Sequence, residues 1–160
     1  METTSEPRSQ ADLALLLAEV NNSPFIGQLT PQEIQTRVND QTIRFFYEDG
    51  DLVGFGAWDN IDKEWREIGP FYTLIKYRGK GLGTQIIEIL VALNSGKKLY
   101  AVTKNPTVKK LLVRLGFQPV TVTALPWAIY RHLISRLTPG RLFHLVTKFS
   151  FDPVAQYVRT

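Results

Sequence analysis

Apolar residues along this chain follow two rhythms in succession. Leu13, Leu16, Leu17 and Val20 recur at three- and four-residue spacing. They predict a helix over residues 9–20, opened by Ser9-Gln10-Ala11-Asp12, which resembles a capping box. Thr30-Pro31-Gln32-Glu33 predicts a second, short helix ending near Asn39, with Thr as cap, Pro in the first turn and Glu at the third position. The rhythm then shortens to two. Residues 42–47 and 52–58 read as strands joined by the hairpin turn Asp49-Gly50-Asp51. After an acidic loop at 59–64, residues 65–76 read as a third strand, which makes an antiparallel meander.

Helical spacing returns at 84–93 and stops at Asn94-Ser95-Gly96. A strand at 97–103 follows, then a helix at 106–115 between an Asn105 cap and a Gly116 stop, then a short strand at 119–123. Residues 126–137 carry a helical stripe of Trp127, Tyr130, Leu133, Ile134 and Leu137. Residues 139–151 fit a helix opened by Thr138-Pro139 or a strand with alternating Phe143, Leu145, Thr147, Phe149 and Phe151. Pro70 stands inside the third strand, where it removes a ladder hydrogen bond. With Gly69 before it, it predicts a bulge or a local parting of strands.

The turn between the third strand and the helix at 84–93 carries the clearest chemistry. In Arg78-Gly79-Lys80-Gly81-Leu82-Gly83-Thr84, glycines at alternate positions bare the backbone N–H groups where a helix begins. Those groups hold the positive end of the helix dipole, and Arg78 and Lys80 add two charges. Such a turn suits a phosphate or pyrophosphate. Charge along the chain agrees. Residues 1–67 hold 13 acidic and 5 basic side chains, a net of −8. Residues 68–160 hold 2 and 14, a net of +12, so the chain as a whole is +4. A polyanionic small molecule fits the basic part. The 160 residues suit one domain, and the absence of cysteine excludes disulfides, a thiol nucleophile and thiolate metal sites. With only His132 and His144, a His-rich metal site is not expected. The polar, acidic first ten residues do not resemble a signal peptide and no apolar run is long enough to span a membrane, so a cytoplasmic protein is expected.

Taken in order, strand, Arg-x-x-Gly-x-Gly turn, helix, strand and Asn-led helix resemble the GNAT family of acetyl-CoA-dependent N-acetyltransferases. Arg78-Gly79-Lys80-Gly81-Leu82-Gly83 matches its first signature, and the run from Asn105 to Leu115-Gly116-Phe117 matches its second block. The likeness covers residues 9–122. The short strand and Leu125-Pro126 after Gly-Phe are similar to amino-acid N-acetyltransferases among its members. The resemblance implies a mixed α/β fold with a mostly antiparallel central sheet, splayed at strand 65–76 and flanked by helices. It implies a flexible N-terminus at 1–8, an acetyl-CoA-binding domain at 9–123 and a basic, aromatic C-terminal extension at 124–160. It further implies that the CoA pyrophosphate rests on the amides of Gly79, Lys80, Gly81, Leu82, Gly83 and Thr84. The pantetheine arm pairs with backbone at Thr73, Leu74 and Ile75; Asn105 reaches it, and Lys109, Lys110 or Arg114 meets the 3′-phosphate. No metal is implied.

A thioester is opened by a neutral amine, and an alkyl amine with a pKa near 10.4 is almost wholly protonated at pH 7, so a general base is expected. Glu67, eleven residues before Arg78, stands where histone-type members of the family place a catalytic Glu. Backbone N–H groups from Phe71 to Thr73, freed by the bulge, would stabilise the oxyanion. Asp59, Asp62 and Glu64 would attract a cationic substrate or simply solvate their loop. Many members donate a proton to the leaving thiolate from a Tyr in the second-block helix. Leu112 stands there, which leaves Tyr72, Tyr100 or water for that role, or makes the chain a non-catalytic acyl-CoA-binding sensor. The basic, aromatic tail would pack on the domain or across a homodimer; a contact with an anionic membrane is the rival reading, and no nucleic-acid motif accompanies its charge.

Overall fold

The computed structural model describes residues 1–23, 26, 28–135 and 155–160. Its strands form a seven-stranded, mostly antiparallel mixed sheet in the order β1-β2-β3-β4-β5-β7-β6. These are β1 (Glu2–Thr4), β2 (Ile43–Glu48), β3 (Asp51–Asn60), β4 (Trp65–Thr73), β5 (Lys98–Thr103), β6 (Gln118–Val120) and β7 (Ala155–Arg159). The helices are α1 (Gln10–Asn21), α2 (Pro31–Asn39), α3 (Leu82–Leu93), α4 (Pro106–Arg114) and α5 (Trp127–Ser135). No described helix is long and apolar enough to cross a membrane. The chain divides into two compact units, Met1–Asp59 with Ile68–Ser95, and Asn60–Glu67 with Gly96–Thr160.

The first unit is built on period-two alternation in β3. Phe55 and Ala57 face a core with Leu16 and Val20 of α1, Ile34 of α2, and Phe45 and Tyr47 of β2. Gly54 and Gly56 point the other way, against Ile86 and Leu90 of α3. A Cβ on Gly56 would lie 2.5 Å from Leu90 Cδ1, and one on Gly54 would lie 2.1 Å from the carbonyl oxygen of Tyr72 in β4, so glycine is what lets these elements approach. The hairpin turn forms at Asp49 (φ 51°) and Gly50 (φ 87°). The second helix has the capping box its sequence predicts: the Glu33 N–H donates to Thr30 Oγ1 at 3.1 Å, and the Thr30 N–H donates to Glu33 Oε2 at 2.8 Å. At α1 only half of that device forms. The Asp12 N–H donates to Ser9 Oγ, but the Asp12 carboxylate instead accepts the Tyr47 hydroxyl at 3.0 Å.

The second unit holds a smaller core of Trp65, Tyr100, Leu125 and Ile129, with Tyr130, Leu133 and Val158 packed against it. Here β4 pairs with β5 in parallel over three residues only, from Trp65↔Lys98 to Glu67↔Tyr100. The expected parting of the sheet therefore begins just ahead of Gly69-Pro70, where Gly69 takes φ 131° and the Gly69-Pro70 peptide is cis.

Four expectations are corrected. The third strand stops at Thr73 rather than Lys76. The Leu74 N–H still donates to Val53, but the Ile75 N–H turns to the Glu19 carboxylate of α1 at 2.8 Å, and Ile75–Tyr77 coils into a single 3-10 turn. Residues 2–4 are not a loose end but an edge strand in register with β2, from Glu2↔Tyr47 to Thr4↔Phe45. Residues 155–159 are not an appendage either: β7 lies between β5 and β6 and pairs antiparallel with both. In α5 Ile129 is buried and Tyr130 and Leu133 pack beside it, while Trp127 is 74% exposed and Ile134 53% exposed, so the stripe read from the sequence omits its most buried residue and holds only in part. The helix-or-strand alternative at 139–151 lies outside the described residues.

Candidate active site

The glycine turn occupies the junction between the 3-10 turn and α3. Gly79 (φ 79°) and Gly81 (φ 80°) are both left-handed, and Gly81 is the N-cap of α3. A Cβ at either would meet nothing within 4 Å, so glycine is required there by backbone conformation and not by crowding. Gly83 differs: a Cβ there would lie 3.0 Å from Thr73 Oγ1, so this glycine lets α3 start close against the end of β4. The N–H groups of Gly79, Lys80, Gly81, Leu82 and Gly83 donate to no acceptor among the described residues. Thr84 does not extend this row, because its N–H closes the first helical turn on the Gly81 carbonyl at 3.0 Å. The result is a run of backbone donors at the positive end of a twelve-residue helix.

The charges beside this run are held by aromatic rings. The Arg78 guanidinium lies 4.9 Å from the centre of the Tyr72 ring, and its Nε donates to the Thr73 carbonyl at 3.1 Å. Lys80 Nζ lies 5.5 Å, and Lys76 Nζ 4.7 Å, from the centre of the Tyr77 ring. Tyr77 is anchored in turn by its hydroxyl, which donates to Asp51 Oδ2 at 2.6 Å. Burial, and then that bond to Asp51, raise the Tyr77 hydroxyl above its ordinary pKa. Of the residues expected along the pantetheine arm, Thr73 and Leu74 sit at the end of β4. The Ile75 N–H is already bonded to Glu19, and the Thr73 carbonyl to Arg78.

Glu67 lies in the second unit, in the ladder with Tyr100. Among the described residues it is one of three buried polar or charged ones, at 8% exposure, with Thr42 and Asn94. Its Oε2 stands 2.9 Å from Nε2 of His132 on α5. Both side chains are largely shielded, at 10% and 16% exposure. Sequence reasoning missed His132, although the signal existed: His132 lies three residues after Ile129 and beside Leu133, and so falls on the inward face of α5. Phe71 and Thr73, assigned to the oxyanion, follow on β4 past Gly69-Pro70.

The remaining candidates are tied into structure. Asn105 caps α4 by accepting the Thr107 N–H at 2.9 Å, Lys109 is half-buried on that helix, and Lys110 and Arg114 are exposed. Asp59 pairs with Arg37 at 2.7 Å and Glu64 with Lys98 at 2.7 Å. Asp62 accepts the N–H groups of Glu64 and Trp65, both at 2.8 Å, and the Trp65 bond, then the Glu64 bond, hold its carboxyl below the usual range. These acids neither reach freely for a substrate nor merely solvate their loop. Leu112 is 1% exposed and inside the fold. The Tyr100 hydroxyl donates to Gln156 Oε1 at 3.1 Å and that of Tyr72 to the Glu19 carbonyl at 3.4 Å. Burial, partly opposed by Arg78, raises the Tyr72 hydroxyl above its ordinary pKa.

Comparison with known proteins agrees with this geometry. The family model described as "Acetyltransferase (GNAT) domain" matches residues 39–119. No curated protein matches the sequence. Among solved structures, N-acetylglutamate synthase from Neisseria gonorrhoeae, complexed with coenzyme A and N-acetyl-glutamate, is similar with a TM-score of 0.71 at 15% identity. The match covers 99% of this chain, which spans 34% of that one. A Mycobacterium tuberculosis protein in complex with CoA gives 0.70 at 15% identity, over 99% of this chain and 98% of that one. Ribosomal-protein-alanine N-acetyltransferase from Brucella melitensis gives 0.61 at 20% identity, over 76% and 86%. The structural matches carry the fold, and the family match spans just over half the chain, across the glycine turn and the Asn-led helix. This chain therefore belongs to the GNAT family of acetyltransferases, whose acetyl donor is acetyl-CoA.

Proposed function

We propose that this protein transfers the acetyl group of acetyl-CoA to a primary amine by direct attack, with both substrates bound together. The observation that carries the reading is the row of N–H groups at residues 79–83 that meet no acceptor among the described residues, beside the side chains of Arg78 and Lys80. A diphosphate supplies the acceptors this row lacks, and charge-assisted bonds of that kind contribute about 1.5–3 kcal/mol each. The neighbours solved with CoA support the choice of carrier.

In the reaction, the amine nitrogen attacks the thioester carbonyl carbon and a C–N bond forms. Donors at Phe71 and Thr73 would hold the oxyanion. The C–S bond then breaks, one amine proton passes to Glu67, and the thiolate takes a proton from water. Because the thiol pKa is near 8.5, the leaving group needs no enzymic acid, and a buried Leu112 is compatible with turnover. The acceptor class is proposed as a free amine, in line with the N-acetyl-glutamate bound by the Neisseria neighbour.

A thiol-reactive dye tests this with acetyl-CoA and a panel of amino acids, polyamines and peptides. CoA release that depends on an amine is expected. Calorimetric binding of acetyl-CoA without turnover on any amine would replace the enzyme by an acyl-CoA sensor, the reading that Leu112 favours.

A further inference from the structure

Glu67 and His132 are separated by 65 residues in sequence, yet their side chains meet at 2.9 Å with little solvent around either. The rest of α5 shows that the meeting is built in. Ile129 is fully buried against Trp65 and Tyr100, and Leu133 packs on the same cluster. Trp65 is two residues before Glu67 on β4, and Tyr100 is its register partner on β5. The apolar face of α5 is therefore seated on the residues that flank Glu67, and the same face aims His132 at its carboxylate. At its far end the Ser135 hydroxyl donates to the His132 carbonyl at 2.8 Å, which ties off the last turn.

We propose that His132 is a positioning residue for Glu67: its Nε2–H holds the carboxylate in one rotamer, aimed to take the amine proton. This rests on the acetyl transfer proposed above. A carboxylate can only accept hydrogen bonds, so the hydrogen between the two atoms belongs to Nε2. In a shielded setting such a bond is stronger than in water. Without it the carboxylate loses one of the contacts that fix its rotamer, and with it the geometry on which proton transfer depends.

The test compares His132→Ala, His132→Gln and wild type by steady-state kinetics with the best amine of the panel. Gln is the informative variant, because its amide nitrogen reaches about where Nε2 stands and can donate but cannot titrate. For Ala, kcat is expected to fall on the order of 30- to 100-fold, with KM for acetyl-CoA and its calorimetric affinity within about twofold. Gln should restore kcat to within about fivefold of wild type. Thermal melting of each variant separates a lost rate from a lost fold. If Ala unfolds, Gln decides alone: a near-normal rate supports positioning, and a rate as low as that of Glu67→Gln overturns it. A folded Ala variant with unchanged kcat overturns the inference and leaves the acetyltransferase standing. Absence of turnover in the wild type overturns both.

Discussion

Two regions of this molecule prepare for chemistry in opposite ways. The turn at residues 78–83 is made of main chain: left-handed glycines, a helix start and, from Gly79 to Gly83, N–H groups with no acceptor among the described residues. The Glu67–His132 pair is made of side chains that satisfy each other and are shielded from water. The first is proposed to hold a ligand by what it leaves unpaired, so it can be written in a few consecutive residues. The second acts by what it pairs, so it depends on two distant segments arriving at one place. One is suited to gripping a group common to every reaction cycle, the other to acting on a single proton.

Breaking the framework of the first region should have the largest effect. Gly54→Ala places a Cβ against the Tyr72 carbonyl, with no side chain able to give way. A loss of about 3 kcal/mol or more in unfolding free energy is expected by denaturant titration. Gly81→Val works on the turn itself. A β-branched residue resists the left-handed backbone by about 1–2 kcal/mol, and reorienting the turn withdraws donors. The CoA dissociation constant should rise roughly 30- to 100-fold by calorimetry. An unchanged affinity in a folded variant would remove the turn from the account.

Glu67→Gln tests the other region. The rate at pH 7 should fall by about two orders of magnitude while CoA affinity holds. The deficit should shrink above pH 8, because the neutral fraction of the amine grows about tenfold per pH unit below its own pKa, and the need for a base falls with it. A deficit that stays constant across pH would point to a lost structural contact instead.

The smallest effect is expected at Asp62, whose carboxylate organises the loop before β4. Its depressed pKa means the native loop favours the ionised form. The associated stability is therefore fully present above the ordinary carboxylate pKa, and is lost as pH falls through the lower native value. Asp62→Ala should cost about 0.5 kcal/mol at neutral pH, a half-exposed site being largely screened by solvent. The difference from wild type should vanish in acid, as melts recorded between neutral pH and pH 2 would show.

How much of this was readable beforehand follows from how local each cause is. The capping box at Thr30, the Asp49-Gly50 hairpin, the Asn105 cap and the glycine turn each rest on residues within a few positions of one another. Their structures match the reading. The end of β4 was misplaced because the group that captures the Ile75 N–H belongs to Glu19, far upstream in α1. The short strands β1 and β7 were missed for a related reason: each owes its conformation to the ladder of a neighbour, Tyr47 to Phe45 for one and β5 with β6 for the other. Within α5, the stripe through Trp127, Tyr130, Leu133 and Ile134 mixes packed and exposed positions. Counting from the aliphatic Ile129 would have centred it on the buried face, and taken in His132.

By itself the sequence determined the family, the order of its principal elements and the glycine turn proposed to hold a diphosphate, because those depend on backbone preference, capping and glycine, which act over a turn or less. Only the tertiary structure decided where β4 stops, which strands fill the edges of the sheet, and that the carboxylate proposed as base is held by a histidine. Those are contacts between segments that the chain separates by tens of residues, and packing, which ranks every such meeting against all others at once, leaves no local mark of its choice.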